Sequence, residues 1–283
     1  MSIHISDKTL QDLEFSTVLE QISTFSISDL GKKQIIGITP FIDKKIIEIE
    51  LAHTNEYLSS FESDNRIPNH SFDNINDQIK RLNIENSYLE PESFLKIKSV
   101  AETIIELKKY FKKFYQYYPS LSSICQDIET MPNITKEITK VITSYGEIEN
   151  KASPILKKIR LKIGSLQGKI GQSFSSALKS AKSLGYLDDI KETVIDNHRV
   201  LAVMAMHRKK VKGSLMGSSK SGSIVYIAPQ QTLAYQRELQ NLNYEEKQEI
   251  IQILKTLSDK VRPCVELLIA YVHYLTKMDV IGA

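Results

Sequence analysis

Apolar residues recur every three or four positions along most of the chain, and that period predicts helices. Leu10, Leu13, Phe15, Val18, Leu19, Ile22 and Phe25 follow it first. Ser28 and Asp29 place an N-cap before a helix carrying Ile35 and Ile36, which Thr39-Pro40 breaks. Asp43 caps the next helix, with Ile46, Ile47, Ile49, Leu51, Leu58 and Phe61 as its apolar positions. Residues 63–71 (SDNRIPNHS) are polar, contain Pro68 and read as a loop. A helix over about 73–83 follows. Pro91 suits the first turn of another, which runs to about Tyr118 and stops before Pro119. Two shorter helices, near 120–129 and 134–144, lead to a turn at Tyr145-Gly146-Glu147.

Beyond residue 150 the elements lengthen. Ser153 as N-cap and Pro154 at the first helical position open a helix that can reach Ser183, roughly 30 residues or about 45 Å. Gly164, Gly168 and Gly171 lie inside it, and the first two either let a second helix approach or mark a bend. The period then shortens to two. Thr193–Ile195 and Arg199–Met206 flank the turn pair Asp196-Asn197, and Val211–Met216 and Ser223–Ala228 flank the loop GSSKSG. Three or four short antiparallel strands are therefore expected, ended by Pro229. A second long helix begins near Gln231, and Pro263 must end or kink it. The chain is expected to be mainly α. A helical core over 1–150 comes first. Helices at 151–183 and 231–283 then form a long antiparallel arm, with a small antiparallel β insertion, 184–230, at its tip.

Charge sharpens this picture. The 283-residue chain has a formal net charge of only +3. Residues 151–230, however, hold fifteen Lys and Arg against four Asp and Glu, which leaves twenty-two basic and thirty acidic residues elsewhere. So local an excess points to a polyanion, of which nucleic acid is the commonest. The candidate phosphate contacts are Lys179 and Lys182 near the end of the first arm helix, and Arg199, Arg208, Lys209, Lys210, Lys212 and Lys220 in or beside the strands. Such residues hold the backbone without reading sequence. A second basic run, KKYFKKFYQYY (108–118), interleaves lysines with aromatics, as single-strand binders do. Its spacing fits better a helix that buries Tyr110, Phe111, Phe114 and Tyr118 and solvates its lysines.

Other chemistry finds little support. The six histidines are scattered without ligand spacing, and no GxxxxGK[ST] or GxSxG occurs. Glu245-Glu246 reads as a solvated helix face. Two cysteines without a CxxC argue against a disulfide framework or a zinc finger, and for a reducing, cytoplasmic setting. No apolar run is long enough to span a membrane, and the N-terminus lacks the pattern of a secretory signal. The chain is not expected to be an enzyme, nor to hold a metal or cofactor.

Three stretches together resemble the MutS family. They are LEFSTVLEQIS…SDLGKKQI…ITP, KASPILKKIRLKIGSLQGKI, and NHRVLAVMAMHRKKVKGSLMGSSKSGSIVYIAP. The likeness is to the bacterial branch that lacks the mismatch-reading domain and is associated with suppressing recombination, and it covers essentially the whole chain. Leu13-Glu14-Phe15, Gly31-Lys32, Ala152-Ser153-Pro154, Ile159-Arg160, Arg199, Ser221-Gly222 and Pro229 fit that branch. Asn197, Ala202 and Ala228 depart from it, standing where a basic residue, proline and glutamate are common. The resemblance implies core and lever helices around an inserted clamp that grips branched or duplex DNA, or engages ribosomes in some members. It also implies a homodimer driven by ATP and Mg²⁺ in an ATPase domain expected beyond Ala283, so that this chain would be a fragment or a truncated product. Three readings stay open: a non-catalytic DNA-binding region acting in repair and recombination control, a ribosome- or RNA-binding clamp, and a helical dimerisation module.

Overall fold

The computed structural model describes residues 5–62 and 65–283. The chain is mainly α with one small antiparallel sheet, as the periodicity predicts. It divides into two compact units, one formed by residues 1–149 with 253–283 and the other by 150–252. Residues 253–283, expected within the arm, thus group with the N-terminal helices.

In the first unit the helices are α1 (Asp7–Asp12), α2 (Phe15–Ser23), α3 (Asp29–Ile36), α4 (Lys44–Glu62), α5 (Asn76–Leu82), α6 (Pro91–Lys113), α7 (Pro119–Gln126) and α8 (Pro132–Val141). Two further helices follow the β region, α10 (Gln230–Val261), which enters this unit at Ile253, and α11 (Val265–Gly282). Phe94, Ile97, Val100, Ala101, Ile104, Leu107 and Phe111 make one fully buried stripe along α6. Helix α11 is apolar nearly all round and buries Leu268, Tyr271, Tyr274, Leu275 and Met278. A 3₁₀ turn, Arg262–Cys264, separates α10 from α11 at Pro263, as expected. Helix α6 stops five residues before the expected Tyr118, because the chain turns tightly through Phe114–Tyr117 and buries Tyr118 ahead of Pro119. The predicted loop at 63–71 is seen from Asn65 onward, while Ser63 and Asp64 lie outside the described residues.

Polar contacts lock this unit. Asp279, 4% exposed, accepts from Ile27 N–H (2.8 Å), Ser28 N–H (2.9 Å), Ser26 Oγ (2.9 Å) and Ser28 Oγ (2.5 Å) at the start of α3. A Cβ on Gly31 would lie 2.3 Å from its Oδ2, so this close approach requires glycine. The inward face of α4 is polar too. Glu56 accepts from the N–H groups of Ser120 and Leu121 (both 2.8 Å) at the start of α7, and Glu50 pairs with Lys277 at 3.2 Å. The expected apolar positions Ile46, Ile47, Ile49, Leu51, Leu58 and Phe61 are exposed, and the buried positions of this helix are His53 and Ser60.

The second unit holds α9 (Pro154–Ser183), the strands β1 (Leu187–Ile195), β2 (His198–Met204), β3 (Gly213–Ser218) and β4 (Ile224–Pro229), and the first part of α10. The Ser153 hydroxyl caps α9 by accepting from Leu156 N–H at 2.9 Å, as predicted. Three contacts run in opposite order along the two long helices: Ser153 to Glu249, Arg160 to Glu246, and Ser173 to Thr232. The helices are therefore antiparallel. Glu246 is not part of a solvated pair, since its carboxylate lies 2.7 Å from the Arg160 guanidinium. A Cβ at Gly164, Gly168 or Gly171 would meet nothing within 4 Å, and α9 runs through all three. Among the described residues no helix packs close against these glycines, and α9 continues through them without a break.

Candidate nucleic-acid interface

The sheet order is β1-β2-β4-β3, all antiparallel. Leu201 and Val203 of β2 and Val225 and Ile227 of β4 point to one face, following the two-residue period of a strand. They bury against Phe174 and Ala181 of α9, with Ala177 and Leu178 at the margin. The last three turns of α9 are thereby fixed on the sheet. Asp196 (φ 47°) and Asn197 (φ 62°) make the two-residue turn between β1 and β2. Both are left-handed, the conformation that matches strand twist and that Asp and Asn tolerate.

The register decides which basic residues gather. Met204 pairs with Ile224, Ser218 with Val225, and Leu187 with Val203. The end of α9, the loop Ser219–Ser223 and the start of the crossover from β2 to β3 therefore meet at one end of the sheet. The crossover begins as a 3₁₀ turn, Ala205–Lys210, with Ala205 N–H donating to Ser223 O at 2.9 Å. Tyr186 joins this turn to α9. Its N–H donates to Ala181 O (3.0 Å), its carbonyl accepts from Met204 N–H (3.0 Å), and the Lys210 ammonium sits 5.3 Å from its ring centroid. Lys182 and Lys220 consequently lie at this end, with Lys179 one turn back along α9, and the Lys210 ammonium reaches it at Tyr186. Arg208 and Lys209 lie on the same 3₁₀ turn, and all of these basic side chains are exposed.

Arg199 and Lys212 lie elsewhere. Arg199 is near the opposite end, paired with Val194 in the ladder, and Lys212 precedes Gly213, which pairs with Pro229 at that same end. Arg199 is also engaged. Its Nη2 donates to both Glu192 oxygens (2.8 and 3.1 Å), and its guanidinium lies 4.2 Å from the Phe174 ring centroid. Within the expected set it is the residue whose charge is met by a carboxylate and whose plane is used in packing.

Nothing in the sequence reading pointed to Tyr186, His207 or Arg237. Tyr186 and His207 place their rings 4.7 Å apart beneath the basic turn. The buried His207 Nδ1 has no hydrogen-bond partner. Arg237 of α10 lines a cleft with Gly213 and Ser214, beside Lys212. It falls past residue 230, where the basic stretch in the sequence gives way to acidic residues. Among the described residues no three His, Cys, Asp or Glu side chains gather as metal ligands.

No family profile matches the chain. Known relatives match it end to end. It is 25% identical over 282 residues to Endonuclease MutS2 of Bacillus velezensis, 28% over 279 residues to Endonuclease MutS2 of Finegoldia magna, and 26% over 282 residues to Putative endonuclease MutS2 of Bacillus subtilis. These matches support the MutS family. They cover 98–99% of this chain but only 35–36% of the relatives, so the chain spans about a third of their length. Residues 197–229 of this MutS-like chain form strands β2, β3 and β4 and the basic turn. Arg199, one of the residues that fit the family pattern, is the one held by Glu192 and Phe174. No helix among the described residues is long and apolar enough to cross a membrane.

Proposed function

We propose that residues 150–252 form a phosphate-gripping DNA clamp of a MutS-like protein, and that this chain contributes binding, not catalysis. The reading rests on one observation, the exposed basic set formed by the 3₁₀ turn Arg208, Lys209 and Lys210 together with Lys182 and Lys220 at the end of the sheet where that turn begins. The strand ladder and the α9 core anchor the backbone that carries those charges. Such a surface contacts phosphates of duplex or branched DNA irrespective of sequence. The name shared by the relatives, together with this surface, favours DNA over other polyanions. Repair or recombination control is the setting we assign, and a homodimer is the form that would let two clamps enclose DNA. ATP and Mg²⁺ would act in a part of such a protein that these residues do not supply. The chain has no GxxxxGK[ST].

The test is binding to a labelled four-way junction and a plain duplex across a salt series. Each phosphate contact adds about −0.9 to the log–log slope on duplex DNA. The triple variant Arg208→Glu, Lys209→Glu, Lys210→Glu is expected to flatten that slope by roughly 2–3 units. An unchanged slope and affinity would remove the 3₁₀ turn from the interface.

A further inference from the structure

The 108–118 run is only partly used in packing. Phe111 and Tyr118 are buried, as the helical spacing requires, but Tyr115 and Tyr117 stay exposed at 56% and 73%. Helix α6, helix α7 and the segment after α7 enclose a cleft of about 450 Å³, within the roughly 300–1,000 Å³ of small-ligand sites. Phe111 and Tyr115 give it aromatic walls, and Gln126, Lys108, Lys109 and Lys112 line it without any carboxylate among the described residues. Lys108 donates to the carbonyls of Gln126 and Ile128 and so closes one side. Lys109 and Lys112, three residues apart, share a helix face and are exposed. This local excess stands out in a unit whose sequence carries twenty Lys and Arg against twenty-six Asp and Glu.

We infer that this cleft binds a nucleotide, its flat base against Tyr115 and its phosphate on Lys109 and Lys112. Aromatic and apolar walls suit any base, because every base has a π-face, and two ammonium groups one helical turn apart suit one phosphate. The Gln126 amide can both donate to and accept from a base edge. The nucleotide comes either from an unpaired strand or from a free monophosphate. The site is separate from the basic turn at Arg208–Lys210 and does not depend on it.

The experiment uses the chain already carrying the Arg208, Lys209 and Lys210 charge reversals, which isolates this site. Fluorescein-labelled oligo(dT) of ten residues is titrated at low salt by anisotropy, with thymidine monophosphate and inorganic phosphate as competitors. Saturable binding is expected. Lys109→Glu with Lys112→Glu should weaken it at least tenfold, and Tyr115→Ala by about tenfold, the effect of losing roughly one stacked base. All three residues are exposed, so the variants keep the core intact. Competition by thymidine monophosphate would assign the free nucleotide as a ligand, and binding of the oligomer alone would assign the unpaired strand. No binding of oligo(dT) would overturn the inference. So would affinity indifferent to these variants, or inorganic phosphate competing as well as the nucleotide.

Discussion

The two units use charge differently. Residues 1–149 with 253–283 hold twenty Lys and Arg against twenty-six Asp and Glu, and residues 150–252 hold seventeen against eight. In the first unit many of the charges hold structure together. Asp279 binds the start of α3, Glu56 the start of α7, and Glu50 pairs with Lys277. Glu137 lies between Lys140 (2.5 Å) and Lys260 (2.6 Å), whose hydrogen bonds hold its carboxyl down to about 2. The Arg262 guanidinium collects the carbonyls of Leu82, Ile84 and Ser87. In the second unit the ion pairs among the described residues lie in the helix pair and the β1–β2 hairpin, Arg160–Glu246 and Arg199–Glu192. The basic cluster beyond the hairpin has no carboxylate in its own turn and remains exposed. A paired charge contributes to stability, whereas an exposed surplus of one sign is available to a ligand.

Asp279→Ala should break the first half of this comparison most strongly. It strands two backbone N–H groups and the buried Ser28 hydroxyl, while the Ser26 hydroxyl keeps the Ser28 carbonyl, at a cost of roughly 3 kcal/mol, and thermal melting should fall by about 10 °C. Acid should act on the same contact. Burial pushes the Asp279 carboxyl up, but hydrogen bonds from Ser28, Ile27 and Ser26 outweigh it and hold the group below its ordinary value. Its stabilisation is therefore full above the unfolded pKa, about 3.9, and is lost as pH falls through the lower folded value. Urea titrations between neutral pH and pH 3 should show a shallower loss for Asp279→Asn than for the parent, and parallel curves would disprove this role.

The second half is tested on DNA. Reversing Arg208, Lys209 and Lys210 should weaken duplex binding by about a hundredfold near 0.1 M salt while leaving the melting temperature unchanged. Arg199→Ala should do the opposite. It removes a partly exposed ion pair and a ring contact, at a cost of about 1 kcal/mol, and should leave the salt slope as it was. A flattened slope in Arg199→Ala would place this residue on the DNA after all. The smallest effect is expected in α9. Gly164→Ala and Gly168→Ala place methyl groups in open space and should each stabilise by about 0.5–1 kcal/mol, with DNA affinity unaltered.

How far the sequence could be read depended on what each signal reports. Ser153-Pro154, Pro263, Asp196-Asn197 and the switch from a helical period to alternation all act through the local backbone. Each marked its boundary within a few residues. The face a helix buries is not a local property. Helix α4 has an apolar stripe at Ile47, Leu51 and Leu58, yet it packs through Glu50, His53, Glu56 and Ser60, because its neighbours offer N–H groups and a lysine. The glycines of α9 suggested close packing or a bend, and only the positions of surrounding atoms and the unbroken helix show that there is neither.

The candidate site divides in the same way. Composition alone located the basic excess between residues 151 and 230, since a sum of charges needs no geometry. It could not separate Arg199, engaged with Glu192 and Phe174, from the exposed Arg208–Lys210 turn. Nor could it bring Lys182 and Lys220, 38 positions apart, to one end of the sheet. The sequence by itself determined the elements, the antiparallel strands and the sign of the surface. Strand register, helix docking and the partners of each charge were decided by the tertiary structure, because they depend on residues distant in the chain meeting in space.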